Sequence, residues 1–162
     1  GILVKGGGHA MAAGLTVERS NLGRLRSFFE GRAERTVRDL VAVETLKIDG
    51  ALSASGATLA LADQLEQAGP YGSGHPQPIF ALPAHRVRDV RPVGVNHLRV
   101  SLEGPDGGRL DAMAFRAAEA DLGLFLMRER GQAVHLAGTL SADSWQGNRR
   151  IQFRVIDAAK AF

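Results

Sequence analysis

Residues 5 to 14 read Lys-Gly-Gly-Gly-His-Ala-Met-Ala-Ala-Gly, three glycines in a row set against an imidazole. Without side chains at Gly6, Gly7 and Gly8 the backbone can reach positive φ and aim successive N–H groups at an anion. His9 adds a side-chain donor where the chain is expected to leave this loop for a short helix of small residues. Phosphate is the ligand such a loop suits. The same spacing also makes a tight strand-to-helix turn with no ligand, and a glycine run alone does not separate the two. The familiar phosphate motifs do not apply: no Lys-Ser/Thr follows at P-loop spacing, and Met11 stands where a dinucleotide fingerprint needs its third glycine.

A second group of candidates is cationic. Arg86 and Arg88 share one face of a predicted strand by the two-residue period, and Arg91 points the other way unless a bulge intervenes. Asn96, His97 and Arg99 follow a turn, and Trp145, the only tryptophan, precedes Arg149 and Arg150 at the last predicted hairpin. Arginine suits bidentate phosphate contact and stacking on bases, and an indole stacked on a base contributes about 1–3 kcal/mol. The alternative for Trp145 is packing across its own hairpin. The five histidines (His9, His75, His85, His97, His135) form no i, i+4 pair and the aspartates occur singly, so no metal site is expected within this chain.

Those residues need elements to hold them. Ile2 to Val4 and Leu15 to Val17 read as strands, Ser20 or Asn21 as the cap of a helix with Leu22, Leu25, Phe28 and Phe29 on one face, and residues 40 to 48 as a strand. Ser53 or Ser55 then opens a helix carrying Leu59, Leu61, Ala62 and Leu65, which Gly69-Pro70 ends. Residues 69 to 78 hold three glycines and three of the six prolines, the composition of a linker. Beyond it the expected order is strand 79–92, strand 97–103, strand 109–115, helix 118–130, strand 133–142 and strand 149–156, with turns at residues 104–108 and 146–148. Five strands with a helix between the third and fourth match an OB-fold, the Greek-key barrel that binds oligonucleotides on strands two and three and on the loops joining strands one to two and four to five. The expected class is α+β: a partial α/β domain over residues 1–68, a linker over 69–78 and a five-stranded OB-fold barrel over 79–162.

Composition narrows the function classes. At 162 residues and 44% hydrophobic content a packed core is expected, in one medium domain or two small ones. There is no cysteine, which excludes disulfides and thiolate metal sites and fits a reducing cytoplasm. No apolar run approaches a membrane span, so a soluble, cytoplasmic protein with no membrane partner is expected. Net charge is +3, distributed as +3 over residues 1–40, −3 over 41–78 and +3 over 79–162. Nineteen of the twenty cations lie in the two basic ends, and there all but Lys5 and Lys160 are arginine. An arginine-rich solvated surface accounts for that as well as a nucleic-acid partner does.

Three blocks carry a family resemblance. Gly6-Gly7-Gly8-His9-Ala10-Met11-Ala12-Ala13-Gly14 resembles the glycine-histidine signature of the DHH-associated domain in the DHH phosphoesterase superfamily. Pro70-Tyr71-Gly72-Ser73-Gly74-His75-Pro76-Gln77-Pro78-Ile79-Phe80 is similar to the linker of the RecJ family of single-strand-specific 5′-to-3′ exonucleases, except that the family has asparagine at the place of His75. His97-Leu98-Arg99-Val100, then Leu110-Asp111-Ala112-Met113-Ala114-Phe115, then Trp145-x-Gly147-x-Arg149-Arg150-x-Gln152 resemble that family's nucleic-acid-binding domain.

The resemblance implies the C-terminal portion of such an exonuclease, acting in DNA repair and recombination. The end of a DHH-associated domain would span residues 1–68, with Gly6, Gly7, Gly8 and His9 against a substrate phosphate. Arg86, Arg88, His97, Arg99, Trp145, Arg149 and Arg150 would bind single-stranded DNA. The resemblance also implies Mn2+ or Mg2+ held by an N-terminal catalytic domain, whose Asp-His-His triplet this sequence lacks. This chain alone is then expected to be inactive. Two other readings remain at this point: a stand-alone OB-fold module for nucleic acid or protein, and part of a DHH-type phosphodiesterase for small nucleotides.

Overall fold

The computed structural model describes residues 1–43, 45–145 and 147–161, without the side chains of residues 35, 39–43 and 145. The chain divides into two compact units, Gly1–Leu46 and Lys47–Phe162. The segment expected as a linker, residues 69–78, lies inside the second unit.

In the first unit β1 (Leu3–His9) pairs antiparallel with β2 (Ala12–Val17), with Gly6 opposite Leu15, Gly7 opposite Gly14 and Gly8 opposite Ala13. This corrects the expected anion loop and small-residue helix. The three glycines are extended strand residues, and positive φ at glycine among the described residues falls instead at Gly94, Gly107, Gly131 and Gly147. Gly8 is needed for close approach, because a Cβ there would lie 2.6 Å from the Ala13 Cβ and 2.7 Å from the Ala12 carbonyl oxygen.

A 3-10 turn, Arg19–Asn21, leads into α1 (Leu22–Val43). The Asn21 side chain, expected as a cap, accepts from the Arg24 guanidinium at 3.4 Å. Ion pairs one turn apart, Arg26–Glu30 at 2.8 Å and Arg38–Glu34 at 2.6 Å, support the exposed surface of the helix. The strand expected over residues 40–48 is not formed. Residues 40–43 continue α1, a case of an established helix overriding the weak β preference of Val41 and Val43, and residues 45–49 are irregular. Of the apolar face expected on α1, Leu25 is buried while Leu22, Phe28 and Phe29 are exposed.

The second unit runs β3 (Gly50–Ala51), α2 (Leu59–Ala68), β4 (Phe80–Val93), β5 (His97–Glu103), β6 (Arg109–Ala114), α3 (Asp121–Arg128), β7 (Ala133–Trp145) and β8 (Asn148–Lys160). The sheet order β3-β4-β5-β6-β8-β7, together with β4–β7 pairing, closes a barrel of the five long strands. The β6–β8 contact is parallel and the other pairings within the barrel are antiparallel. This is the expected OB-fold, with its helix between the third and fourth barrel strands.

Closure depends on β4, whose first half pairs with β7 and second half with β5. Register breaks between Leu82 and His85 and between Val87 and Asp89, with Ala84 at φ 51°, let one strand bend around the barrel. The second bulge also leaves Arg86, Arg88 and Arg91 all exposed, while Val87 and Val90 are buried. Fully buried Leu82, Leu98, Val100, Leu102, Leu140 and Phe153 fill the interior, and Leu126 of α3 joins them. Gly123 lets α3 come close: a Cβ there would lie 1.8 Å from the Ala117 carbonyl oxygen.

Thr58, rather than Ser53 or Ser55, caps α2, accepting from the Leu61 N–H at 3.2 Å. Ser53 accepts from the Gly56 N–H, and Ser55 donates to Asp106 in the β5–β6 turn. Residues 69–78 are tied back to α2. The Tyr71 hydroxyl donates to the Leu65 carbonyl at 2.5 Å, and the His75 ring donates through Nε2 to the Ala68 carbonyl at 3.1 Å while lying 5.1 Å from the Tyr71 ring. An imidazole thus makes a donor contact that a side-chain amide could equally make. Among the described residues no helix is long and apolar enough to cross a membrane.

Candidate nucleic-acid interface

Alternation along β5 and β6 turns Leu98, Val100, Leu102, Leu110, Ala112 and Ala114 into the barrel. The opposite face carries Arg99 across from Met113 and Ser101 across from Asp111. On the β7–β8 hairpin, Asp143 stands across from Arg150 and Ser141 across from Gln152. Between these two hairpins lies a groove of about 490 Å³. Leu110, Met113, Ile151, Val93 and Phe115 give it apolar surface, and Arg99, Arg109, Asp111, Asp143, Arg150 and Gln152 give it polar groups. A smaller groove of about 280 Å³ is lined by Arg88, Ser101 and Leu102 and shares Arg109, Leu110 and Asp111 with the first.

An ion pair stands in the groove, Arg99 with Asp111. Arg99 Nη2 lies 2.5 Å from Asp111 Oδ2, and the Ser101 hydroxyl donates to Asp111 Oδ1 at 2.8 Å. Burial raises the Asp111 carboxyl pKa, but hydrogen bonds from Arg99 and Ser101 and the charges of Arg99 and Arg150 outweigh it, so the net shift is downward. The hydrogen bond to Asp111, with its charge, raises the Arg99 guanidinium in turn.

The structure brings some of the sequence-predicted residues together and separates others. Arg99 and Arg150 line the larger groove, and Arg88 lines the smaller one, 3.0 Å from Glu103. His97 Nδ1 accepts from the Arg116 N–H at 2.9 Å, and its ring stands edge-on to Phe115 at 5.2 Å, beside the groove. Asn96 fixes the adjoining loop by accepting from the Ala118 N–H at 3.0 Å. Arg86 lines neither groove and donates to the Gly131 carbonyl at 3.2 Å.

Arg149 also points away from the groove, held 2.5 Å from Asp63 and 3.9 Å from Glu66 of α2; the hydrogen bond to Asp63 raises its pKa. Trp145 ends β7 across from Asn148, and its side chain lies outside the described residues. Gly6, Gly7, Gly8 and His9 belong to the other unit, all exposed, with His9 Nδ1 accepting from the Met11 N–H at 3.3 Å.

Sequence reasoning passed over Asp111, Arg109, Met113 and Phe115 as site residues. The signal was available, because the two-residue period from Arg99 through the 104–108 turn puts Asp111 and Met113 on the outward face beside it. Arg154, whose guanidinium lies 5.5 Å from the Phe115 ring centre, was also missed, and only the β6–β8 pairing brings it there.

Residues 48–157 match the RecJ OB domain family. The chain belongs to that family. The RecJ likeness extends beyond the barrel: the chain is 35% identical to the single-stranded-DNA-specific exonuclease RecJ of Escherichia coli K12 over 164 residues, covering 97% of this chain and 26% of that protein. Against the Bacillus subtilis protein of the same name it is 25% identical, covering 98% and 20%. This chain therefore spans about a quarter of the length of such relatives. The crystal structure of Thermus thermophilus RecJ in complex with Mg2+ superposes with a TM-score of 0.57 at 23% identity, over 99% of this chain and 24% of that one, which supports the fold. The Mn2+ complex of the same protein gives 0.59 at 22% identity, over 99% and 22%.

Proposed function

We propose that this RecJ OB domain chain is the strand-binding portion of a single-stranded-DNA-specific 5′-to-3′ exonuclease acting in DNA repair and recombination in the cytoplasm. The observation that carries the reading is the groove between β5–β6 and β7–β8. Three arginines surround apolar and aromatic side chains there, on the barrel face and beside the hairpin that OB-folds use for oligonucleotides. Guanidinium groups contact phosphates, and Phe115 and Met113 offer apolar surface to unstacked bases. A duplex presents stacked, paired bases, so the groove favours single strands.

Gly6, Gly7, Gly8 and His9 are proposed to sit against the phosphate near the cut, with His9 as a hydrogen-bond donor that positions it. The hairpin provides one imidazole and, between Leu3 and Val17, no carboxylate. That donor set does not fit Mn2+ or Mg2+, and among the described residues no three His, Asp or Glu side chains converge as metal ligands. Hydrolysis is proposed to belong to a catalytic domain outside this chain, as the RecJ resemblance implies.

Fluorescence anisotropy with matched single-stranded and duplex oligonucleotides tests the reading. The chain is expected to prefer the single strand modestly, with log affinity falling by about 0.7 per phosphate contact against log salt. Equal affinity for both would count against it. In the full-length parent, His9→Ala is expected to reduce cleavage far more than binding of long strands. Manganese-dependent release of mononucleotides from 5′ ends by residues 1–162, abolished by a point mutation within them, would overturn the assignment of catalysis elsewhere.

A further inference from the structure

We propose that Asp111 is a built-in stand-in for a strand phosphate: it holds Arg99 and Ser101 ready at the junction of the two grooves and is displaced when DNA crosses. The inference rests on the strand-binding reading above.

Position comes first. Asp111 lines both grooves, so a strand passing from the larger to the smaller crosses it. Its donors come second. One carboxylate oxygen takes the Arg99 guanidinium and the other the Ser101 hydroxyl at 2.8 Å, and a phosphate's non-bridging oxygens accept from these same groups. Exchangeability comes third: the Arg99 and Asp111 side chains are 52% and 49% exposed, and pairs this exposed hold weakly against a competing anion.

Asp89 shows the contrast. It bridges Arg91 and Arg130 at 18% exposure and lines neither groove, as a pair that serves the fold does. The larger groove sets Arg99, Arg109 and Arg150 against Asp111 and Asp143, three cations less two anions, or +1. A groove so tempered keeps its arginines oriented and releases each phosphate readily, which suits a strand that must move through it.

The test is anisotropy of a fluorescent oligothymidylate with the 162-residue chain and its variants across a salt series. Asp111→Asn is expected to bind roughly two- to fivefold more tightly at low salt, the order of effect of one exposed ion pair. Its salt slope should steepen by about 0.7, one added contact. Glu119→Gln removes the same charge from an exposed loop position that lines neither groove, and should change affinity less than twofold. The gain from Asp111→Asn should also shrink when Arg99 is already alanine. Asp111→Ser serves as a second variant should the first lose its circular dichroism signature.

If the wild-type chain binds the strand and neither Asp111 variant gains more than Glu119→Gln, this inference falls and the strand-binding reading stands. If neither wild type nor variants bind, both fall. Equal gain with Arg99 present or absent would also overturn the role given to Asp111.

Discussion

Between Leu3 and Val17 the glycine hairpin carries Lys5 and His9 and no carboxylate, and every residue from Leu3 to Thr16 is exposed. In the barrel groove Arg99 already has Asp111, and Arg150 stands opposite Asp143. Both regions are read as phosphate-facing, yet one offers donors with no carboxylate between Leu3 and Val17, and the other has its central cation, Arg99, held by its own counter-ion. The first arrangement suits one phosphate fixed in place, and the second suits many phosphates passing by. Their packing differs as well. The groove stands on a barrel whose interior side chains are fully buried, whereas Leu25 is the one buried residue among those with described burial in residues 1–46.

Backbone substitution breaks that comparison most sharply. An alanine Cβ at Gly123 would sit 1.8 Å from the Ala117 carbonyl oxygen, and one at Gly138 would sit 2.1 Å from the Arg154 carbonyl oxygen, both against backbone that cannot yield cheaply. Each substitution is expected to cost about 3 kcal/mol or more of barrel stability, as overpacking against a fixed neighbour does. At Gly7 and Gly14 a Cβ meets nothing within 4 Å, so alanine there should leave thermal melting, followed by circular dichroism, nearly unchanged.

Binding comes next. Arg99→Ala with Arg150→Ala should weaken single-strand binding about tenfold or more and flatten the salt slope by about 1.4, two contacts at 0.7 each. Arg149→Ala, at a residue held by α2 outside the groove, should weaken it far less, and the comparison of the two titrations checks the geometry directly. A larger loss from Arg149→Ala would move the interface toward the face shared by α2 and β8.

How much of this was legible in the sequence follows from the range of the interactions. His97-Leu98-Arg99-Val100-Ser101-Leu102-Glu103 alternates without a break, and residues 104–108 spell a turn that the structure closes with a Gly107 N–H to Gly104 carbonyl bond at 3.0 Å and Gly107 at φ 75°. Short-range patterns of that kind predicted all five barrel strands and the helix between the third and fourth. Glycines 6 to 8 misled because their freedom is compatible with a loop and with a strand, and only pairing with Ala13, Gly14 and Leu15 decides.

Val41 and Val43 misled in a similar way, since β-branched residues in a short window are outweighed by a helix already running from Leu22. The arginines were found and their partners were not. Arg149 meets Asp63 across 86 positions of chain, a contact that no local pattern encodes.

The smallest expected effect is in acid. Asp106 accepts from the Ser55 hydroxyl, the Ser55 N–H and the Gly108 N–H, and the Ser55 hydroxyl above all holds its carboxyl well below the usual carboxylate range. A depressed folded pKa contributes stability that is fully present above the unfolded value of about 3.9 and is lost as pH falls through the folded one. Asp106→Asn should therefore lower the melting temperature slightly at neutral pH, with the gap from wild type closing as the buffer is taken below about pH 4. A gap that stayed constant down to strong acid would separate the β5–β6 turn from that linkage.

The most direct test is to map the strand on the chain by amide NMR, titrating a 15N-labelled sample with a short oligothymidylate. The largest shift changes are expected at Arg99, Asp111, Met113, Phe115, Arg150 and Gln152, around the groove between β5–β6 and β7–β8. Changes confined instead to Arg91 and Arg130, the two arginines on either side of Asp89, with the groove residues unmoved at saturation, would contradict it.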